Sequence, residues 1–258
     1  MIFLLQVFLS VIILLFFIID DNAEGHKLID TSENDNNNNF ENALEIPNHT
    51  ISWAIYQELI RGEIDAKFYK FQNEQITSSL YVQLTIPEIE KYKAFTPSLA
   101  ILEPQFNSNN VSINMRNDNY TAYQNNNDIL PFEIPQNYRI LLKTDYQGPI
   151  PSPIFYEPFT QTSYWERQEI RTEIQNLGTY YIVVFNNNDT SIEEGKFALA
   201  VGEVEDFSAL DFFILIPYSW IQLKIFYNDY FSFVIAIIIV ISFILLILLL
   251  IKKRRHRK

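Results

Sequence analysis

The sequence predicts an all-β domain, an antiparallel β-sandwich of the jelly-roll kind, followed by one C-terminal transmembrane helix. Short runs rich in aromatic and β-branched residues recur between residues 40 and 205, each bounded by Gly, Pro, Asn or Asp. No stretch in that range shows the 3.6-residue apolar period of a long helix. An uncharged apolar run then fills residues 231–251 and leads directly into a basic tail. These three observations set the fold class.

Composition excludes several classes of protein. The chain has 258 residues, a net charge of −12, no cysteine and three histidines. Disulfide frameworks, thiol catalysis and cysteine zinc sites are therefore absent, and catalysis by a Ser/His/Asp triad or by histidine-bound zinc is not expected. The acidity argues against nucleic acid as a partner, because phosphate binding needs a basic face. The 21 Phe and 15 Tyr argue for a packed core.

The N-terminal segment, residues 1–23, is apolar through residue 19 and ends in acidic residues. It lacks Lys or Arg before the apolar run and has no clean A-x-A pattern, although Ala23 and Gly25 offer small residues for a peptidase. We interpret it as a cleaved signal peptide, with an uncleaved signal anchor as the alternative. Both alternatives place the following residues outside the cell.

Residues 24–39 are polar and rich in Asn, which predicts a disordered linker. The β domain itself is expected over residues 40–207. Alternating and continuously apolar runs predict eight strands, namely 51–58, 66–71, 79–86, 98–102, 138–143, 169–174, 179–185 and 196–201.

Strand 179–185 is apolar on both alternating faces and is expected at the centre of a sheet. One of its faces should lie in the core between the sheets. The other should be covered by a loop, for which we expect the aromatic segment 155–165.

Two insertions interrupt the strands. Residues 105–127 are rich in Asn and predict a long loop, with at most a poor strand at 111–115. Residues 147–165 contain four prolines and five aromatic residues, and they predict a loop or an edge strand because proline cannot donate to a central ladder.

The C-terminal part is expected to contact a membrane. Residues 231–251 would span about 30 Å as a helix, the thickness of the hydrocarbon core. The alternative of a buried core helix is disfavoured because soluble helices rarely stay apolar on every side over 21 residues. The tail, residues 252–258, carries six Lys or Arg and marks the cytoplasmic end. Residues 208–230 are expected to lie in the outer membrane interface, with a last strand plus linker as the alternative.

Two groups of motifs lie at the ends of the β domain. They are the opening NFENALEI at 39–46 with DAKFYKF at 65–71, and GTYYIVV at 178–184 with GKFALAVG at 195–202. Together they resemble the bacterial and archaeal pre-peptidase C-terminal domain, although Lys67 stands where a second Asp is usual and Phe197 where Tyr is usual. The resemblance implies a jelly-roll-like sandwich that commonly accompanies secreted enzymes and that binds calcium in some members.

Candidate site residues fall into three groups. Through the resemblance, Asp35, Glu41, Glu63 and Asp65 are candidate ligands of a structural calcium ion, and no other cofactor is expected. A flexible acidic linker is the alternative. The aromatic residues of the proline-rich insertion are candidate ligand-binding residues or a lid over the core: Tyr156, Phe159, Tyr164 and Trp165. Four N-x-S/T sequons are candidate glycosylation sites: Asn48, Asn110, Asn119 and Asn188.

The sequence contains no recognisable catalytic motif. We therefore expect a non-enzymatic module at the cell surface, anchored in the plasma membrane by a single span and serving a binding or structural role. The alternative is an accessory subunit that docks a membrane partner through residues 208–251. A glycosidase-like carboxylate pair is a third possibility, although acids such as Glu157, Glu166 and Glu169 are equally compatible with a solvated surface.

Overall fold

The structure is a computed structural model. It describes residues 26–31, 36–60, 66–105, 130–158, 160–186, 194–208, 211 and 214–255. The segment 1–23, the poor strand expected at 111–115 and the end of the basic tail lie outside the described residues.

The described residues form eleven strands, a short 3-10 helix and two α-helices. The strands are β1 (Lys27–Leu28), β2 (Leu44–Glu45), β3 (Trp53–Leu59), β4 (Ala66–Asn73), β5 (Ser78–Pro87), β6 (Ser98–Pro104), β7 (Tyr138–Thr144), β8 (Ile154–Glu157), β9 (Thr162–Ile174), β10 (Gly178–Phe185) and β11 (Gly195–Val201). The 3-10 helix is Glu90–Tyr92, α1 is Leu215–Phe226 and α2 is Tyr230–Arg255.

The strands form two sheets. Sheet 1 has the order β1-β3-β11-β5-β9-β8, and sheet 2 has the order β2-β4-β10-β6-β7. Neighbouring strands are antiparallel except in the two-residue pairings of β1 with β3 and of β2 with β4. The predicted all-β class with an apolar C-terminal helix is therefore confirmed, and each of the eight predicted strands coincides with an observed one.

The main core lies between the two sheets. Both sheets contribute alternate side chains to it, as the two-residue period of a strand requires. Large members with almost no exposed surface are Ile55, Tyr69, Leu84, Tyr180 and Phe197. This shared core holds the sheets face to face.

Strand β10 is central and is buried on both faces, as predicted. Tyr180, Ile182 and Val184 face the core between the sheets, whereas Val183 and Phe185 belong to a second apolar cluster on the outer face of sheet 2. The expected cover, the segment 155–165, is wrong for its described residues, which lie in β8, in β9 and in the turn between these strands of sheet 1. The residues that cover this face come from two other segments: Phe40, Leu130, Phe132 and Ile134.

The disordered linker expected at 24–39 is also wrong for the part that the structure describes. Strand β1 pairs with β3, and Ile29 packs against the main core. Asn37 is fully buried, where its side chain bonds Gln57 through two hydrogen bonds of 2.7 and 3.1 Å. The described part of 24–39 is therefore ordered by hydrogen bonds between buried side-chain amides and between backbones, although it has little apolar surface to bury.

The proline-rich insertion is an edge in one part and an inner strand in another. Strand β8 is the edge of sheet 1, in agreement with the expectation. Residues 162–168, however, extend β9 well beyond the predicted strand at 169–174, because β9 pairs with β5 on one side and β8 on the other. The prolines lie outside β9 and leave its ladder intact.

The double burial of β10 predicts the cost of a charge on it. Val183 has no exposed surface, so Val183→Asp should lower the free energy of unfolding by about 3 kcal/mol or more, since the carboxylate loses its water without a partner. Glu173, exposed on β9, is the control, and Glu173→Gln should change it by less than about 0.5 kcal/mol. Denaturant unfolding of the detergent-solubilised chain measures both. Equal midpoints for wild type and Val183→Asp would contradict the position of β10.

Candidate functional site

Helix α1 packs on the outer face of sheet 1 and joins the β domain to α2. Leu223 is 1% exposed and Lys224 is 4% exposed, although α1 lies at the surface of the domain. Pro217 lies in the first turn of α1, where its missing N–H breaks no helical hydrogen bond. The segment 208–230 is therefore helical in its C-terminal half, and the alternative of a last strand plus linker is wrong for residues 215–226.

Lys224 fixes α1 to the turn between β8 and β9. Its ammonium group donates to the carbonyl oxygen of Gln161 at 2.9 Å and lies 3.3 Å from a carboxylate oxygen of Asp229. Partial burial alone raises the pKa of Asp229, but hydrogen bonds from Ser232 and Lys224 outweigh it and lower the pKa below its usual value. Asp229 also accepts from the Ser232 backbone N–H, which caps the start of α2.

Three tyrosines meet under the C-terminal end of α1. The Tyr227 ring lies 6.3 Å from that of Tyr56 and 6.2 Å from that of Tyr164, both edge-on. The Tyr227 hydroxyl donates to the Tyr164 hydroxyl at 3.5 Å. Burial raises the pKa of all three phenols well above the ordinary value. Charge interactions with a neighbouring phenol raise the pKa further, against hydrogen bonds that lower it at Tyr164 and Tyr227. The hydroxyls therefore stay protonated at physiological pH and act as hydrogen-bonding groups rather than as bases.

The first described residues lie between α1 and β3. The Tyr218 hydroxyl donates to the Asp30 carboxylate at 2.5 Å, and Lys27 pairs with Asp211 at 3.5 Å. His26 is hydrogen-bonded through Nδ1 to the hydroxyl of Ser52. Burial lowers the pKa of His26 to about 4, so the imidazole is neutral at physiological pH.

A cavity of about 400 Å³ lies beside these contacts, between α1, β1 and β3. Its lining mixes apolar and charged side chains, among them Leu28, Leu223, Glu58 and Lys196. Lys196 donates to the carbonyl oxygen of Phe226 and lies 3.9 Å from Glu58. Burial lowers the pKa of Lys196, against the opposing effect of Glu58. The junction between domain and helix is thus polar and largely saturated with hydrogen bonds.

The structure describes one of the four candidate calcium ligands. Glu41 is exposed, whereas Asp35, Glu63 and Asp65 lie outside the described residues. Within the described ranges, no group of three or more His, Asp or Glu side chains has the arrangement of a metal site. The calcium site stays a prediction.

The four aromatic candidates do not form one exposed surface among the described residues. Tyr156 is 55% exposed on the edge strand, but Tyr164 and Trp165 are only 2% and 4% exposed. Phe159 lies outside the described residues. Tyr164 instead belongs to the tyrosine cluster under α1, because β9 extends further than its sequence pattern indicates.

Asn48 is the one candidate glycosylation site that the structure describes, and it is exposed. Its side-chain oxygen accepts hydrogen bonds from the backbone and hydroxyl groups of Thr50, at 3.0 and 2.9 Å. Asn110, Asn119 and Asn188 lie outside the described residues. Of the possible glycosidase acids, Glu157 is buried and accepts hydrogen bonds from the backbone and hydroxyl groups of Thr160.

Sequence reasoning missed Tyr56 and Lys224 as members of this junction, and assigned Tyr227 only to the membrane interface. Tyr56 lies in a predicted strand, and the helix that meets it is far away in the chain. The one available signal is Lys224 itself, a single charge within an apolar segment. Such a charge needs a partner if its segment packs against protein.

Comparison with known proteins finds likeness at the level of structure. No protein-family model matches the chain, and no curated protein matches it. Among solved structures, the chain is similar to the pre-peptidase C-terminal domain of a collagenase from Bacillus anthracis, with 13% sequence identity and a TM-score of 0.30. The match covers 61% of this chain and 91% of that one. That neighbour is a domain of the type that the sequence motifs resemble.

The contacts of Lys224 predict that α1 depends on this side chain. Lys224→Ala should lower the free energy of unfolding by about 2 kcal/mol, because it leaves the Gln161 carbonyl without its donor and removes the cation beside Asp229. Amide hydrogens of α1 should also exchange faster. Lys93→Ala is the matched control, since Lys93 forms an exposed ion pair with Glu90 that should contribute less than about 1 kcal/mol. Unchanged exchange in Lys224→Ala would show that the apolar contacts alone hold α1.

The lowered pKa of His26 predicts a loss of stability in mild acid. Between about pH 6.5, the pKa of an unfolded His, and pH 4, the unfolded chain binds the proton and the folded chain does not. The free energy of unfolding should therefore fall by on the order of 1 kcal/mol from pH 7.5 to 5.5 through this group. His26→Gln should flatten the pH dependence in denaturant titrations. An identical slope in the variant would contradict a buried neutral imidazole.

Proposed function

We propose that this protein is a non-catalytic, jelly-roll-like β-sandwich module that is anchored in the plasma membrane by α2 and serves a binding or structural role outside the cell. The observation that supports this most directly is the junction just described. Helix α1 is held to the domain by buried side chains and ends four residues before α2 begins. The domain therefore stands close to the start of the span instead of at the end of a flexible tether.

Helix α2 supplies the anchor. Residues Tyr230–Lys253 form a helix long and apolar enough to cross a bilayer, and none of its most apolar stretch is buried within the structure. At about 1.5 Å per residue it is as long as a bilayer core is thick. The basic residues that follow favour a cytoplasmic C-terminus, which places the acidic β domain outside.

The second candidate function is that of an accessory subunit of a membrane complex. The unburied state of α2 supports it, because a partner helix has the whole circumference available. Affinity purification from mild detergent distinguishes the two functions. A stoichiometric membrane protein would favour the accessory subunit, and binding of a soluble ligand by the isolated module would favour the first function.

The proposed topology predicts the outcome of protease treatment. In intact cells that carry a C-terminal epitope tag, added protease should remove the β domain and leave a fragment containing α2, the basic tail and the tag. Permeabilised cells are the control, and they should lose the tag as well. A protected domain with a digested tail would reverse the orientation, since Lys and Arg beside a span resist translocation.

A further inference from the structure

We propose that α1 is a second membrane contact, whose exposed apolar side lies in the headgroup interface of the leaflet from which α2 emerges. The ligand of this surface is a lipid surface. The inference rests on the proposed function in one respect, which is that α2 crosses the membrane. It adds to that function a defined docking face on the β domain.

The surface is a stripe of exposed side chains along α1, opposite the buried Leu223. At its edge the Tyr218 hydroxyl reaches back to the Asp30 carboxylate. We call Ile214, Tyr218, Ile221 and Ile225 the outer stripe. They are 65%, 40%, 43% and 49% exposed, respectively, and follow one another at spacings of four, three and four residues. Side chains at these spacings share one side of a helix. The opposite side of α1 carries the buried Ser219 and Leu223.

The outer stripe carries no charge. Lys224 is the sole ionisable group of the sequence of α1 apart from the Tyr218 phenol. Its ammonium group points away from the stripe to the carbonyl oxygen of Gln161. The exposed side of α1 is therefore apolar and uncharged. Such a surface is favourable in a lipid interface and unfavourable in water.

Contacts between the helices fix the depth of α1. The ring of Trp220 lies 5.4 Å from the ring of Phe233, edge-on. Phe233 is three residues into α2, hence about 5 Å along its axis from Tyr230. If α2 spans the membrane from Tyr230, the middle of α1 lies level with the first turn of the span. That level is the interface, where Trp and Tyr rings are favoured.

The connection between the helices allows little freedom. Tyr227, Asn228 and Asp229 are the only residues between the end of α1 at Phe226 and the start of α2 at Tyr230. Asn228 has a φ of 58°, a left-handed conformation that Asn tolerates better than most residues. Asp229 is fixed by Lys224 and by Ser232. The outer stripe therefore cannot move far from the bilayer without breaking these contacts.

A protein partner is a weaker occupant than lipid. A partner or a second copy would have to reach a stripe that lies level with the first turn of the span, on a helix that only three residues separate from it. Lipid is already there.

The geometry also turns sheet 1, which carries α1, toward the membrane and leaves the outer face of sheet 2 pointing away from it.

The absence of cysteine in the sequence permits a direct test. Ile221→Cys in the full chain is labelled with a polarity-sensitive fluorophore and reconstituted into phosphatidylcholine vesicles. Some of the lipids carry a nitroxide on the acyl chain just below the headgroup. Ile76→Cys is the matched control, because Ile76 is an isoleucine that is 75% exposed on the turn between β4 and β5.

The label at residue 221 should be quenched by the lipid nitroxide at least about twofold more than the label at residue 76, with a blue-shifted emission. Aqueous iodide should quench in the opposite order. Iodide quenching at residue 221 equal to that at residue 76 would overturn the inference. Protection of residue 221 from both quenchers would also overturn it, in favour of a second copy or a protein partner.

A separate measurement shows whether α2 itself fails. Both labelled chains should float with the vesicles after alkaline carbonate extraction, as a spanning helix requires. Flotation without lipid quenching at residue 221 overturns the role of α1 and leaves the anchor intact. Loss of flotation overturns the proposed anchor, which is a different result.

Discussion

The constraint on which the architecture depends is the burial of β10 on both faces. A central strand whose alternate residues are all large and apolar or aromatic needs protein on each side. Sheet 1 supplies one side, and the segment containing Phe132, together with Phe40, supplies the other. The domain is therefore layered around sheet 2, with edge-to-face aromatic contacts such as Phe68–Phe132 closing the outer layer.

The second organising interaction is the docking of α1 on the opposite sheet. Its apolar contacts alone would allow the helix to slide, because apolar packing is not directional. Lys224 and the tyrosine cluster add directed hydrogen bonds in a site from which water is largely excluded. Such groups are costly to separate once they are buried. The β domain, α1 and the first turn of α2 consequently form one continuous unit.

Most of the β fold was predictable because a strand with one buried face has apolar residues at every second position of its sequence. Strands β1 and β2 were missed because each is a two-residue parallel pairing that leaves no pattern. The prolines around β8 made the whole segment resemble a loop, so residues 162–168 of β9 were not predicted as strand. The candidate site was largely unpredictable, because Tyr56, Tyr164 and Tyr227 come from distant parts of the chain and only the packing brings them together.

The chain enters and leaves the β domain side by side, since Asp30 bonds Tyr218 and Lys27 pairs with Asp211. A pulling force applied between the two ends acts first on these few contacts, one after another. The strands other than β1 carry that load only after β1 has separated from β3 and α1 has separated from the domain. Tension along the chain would therefore break these end contacts before it unfolds the remaining strands of the sandwich.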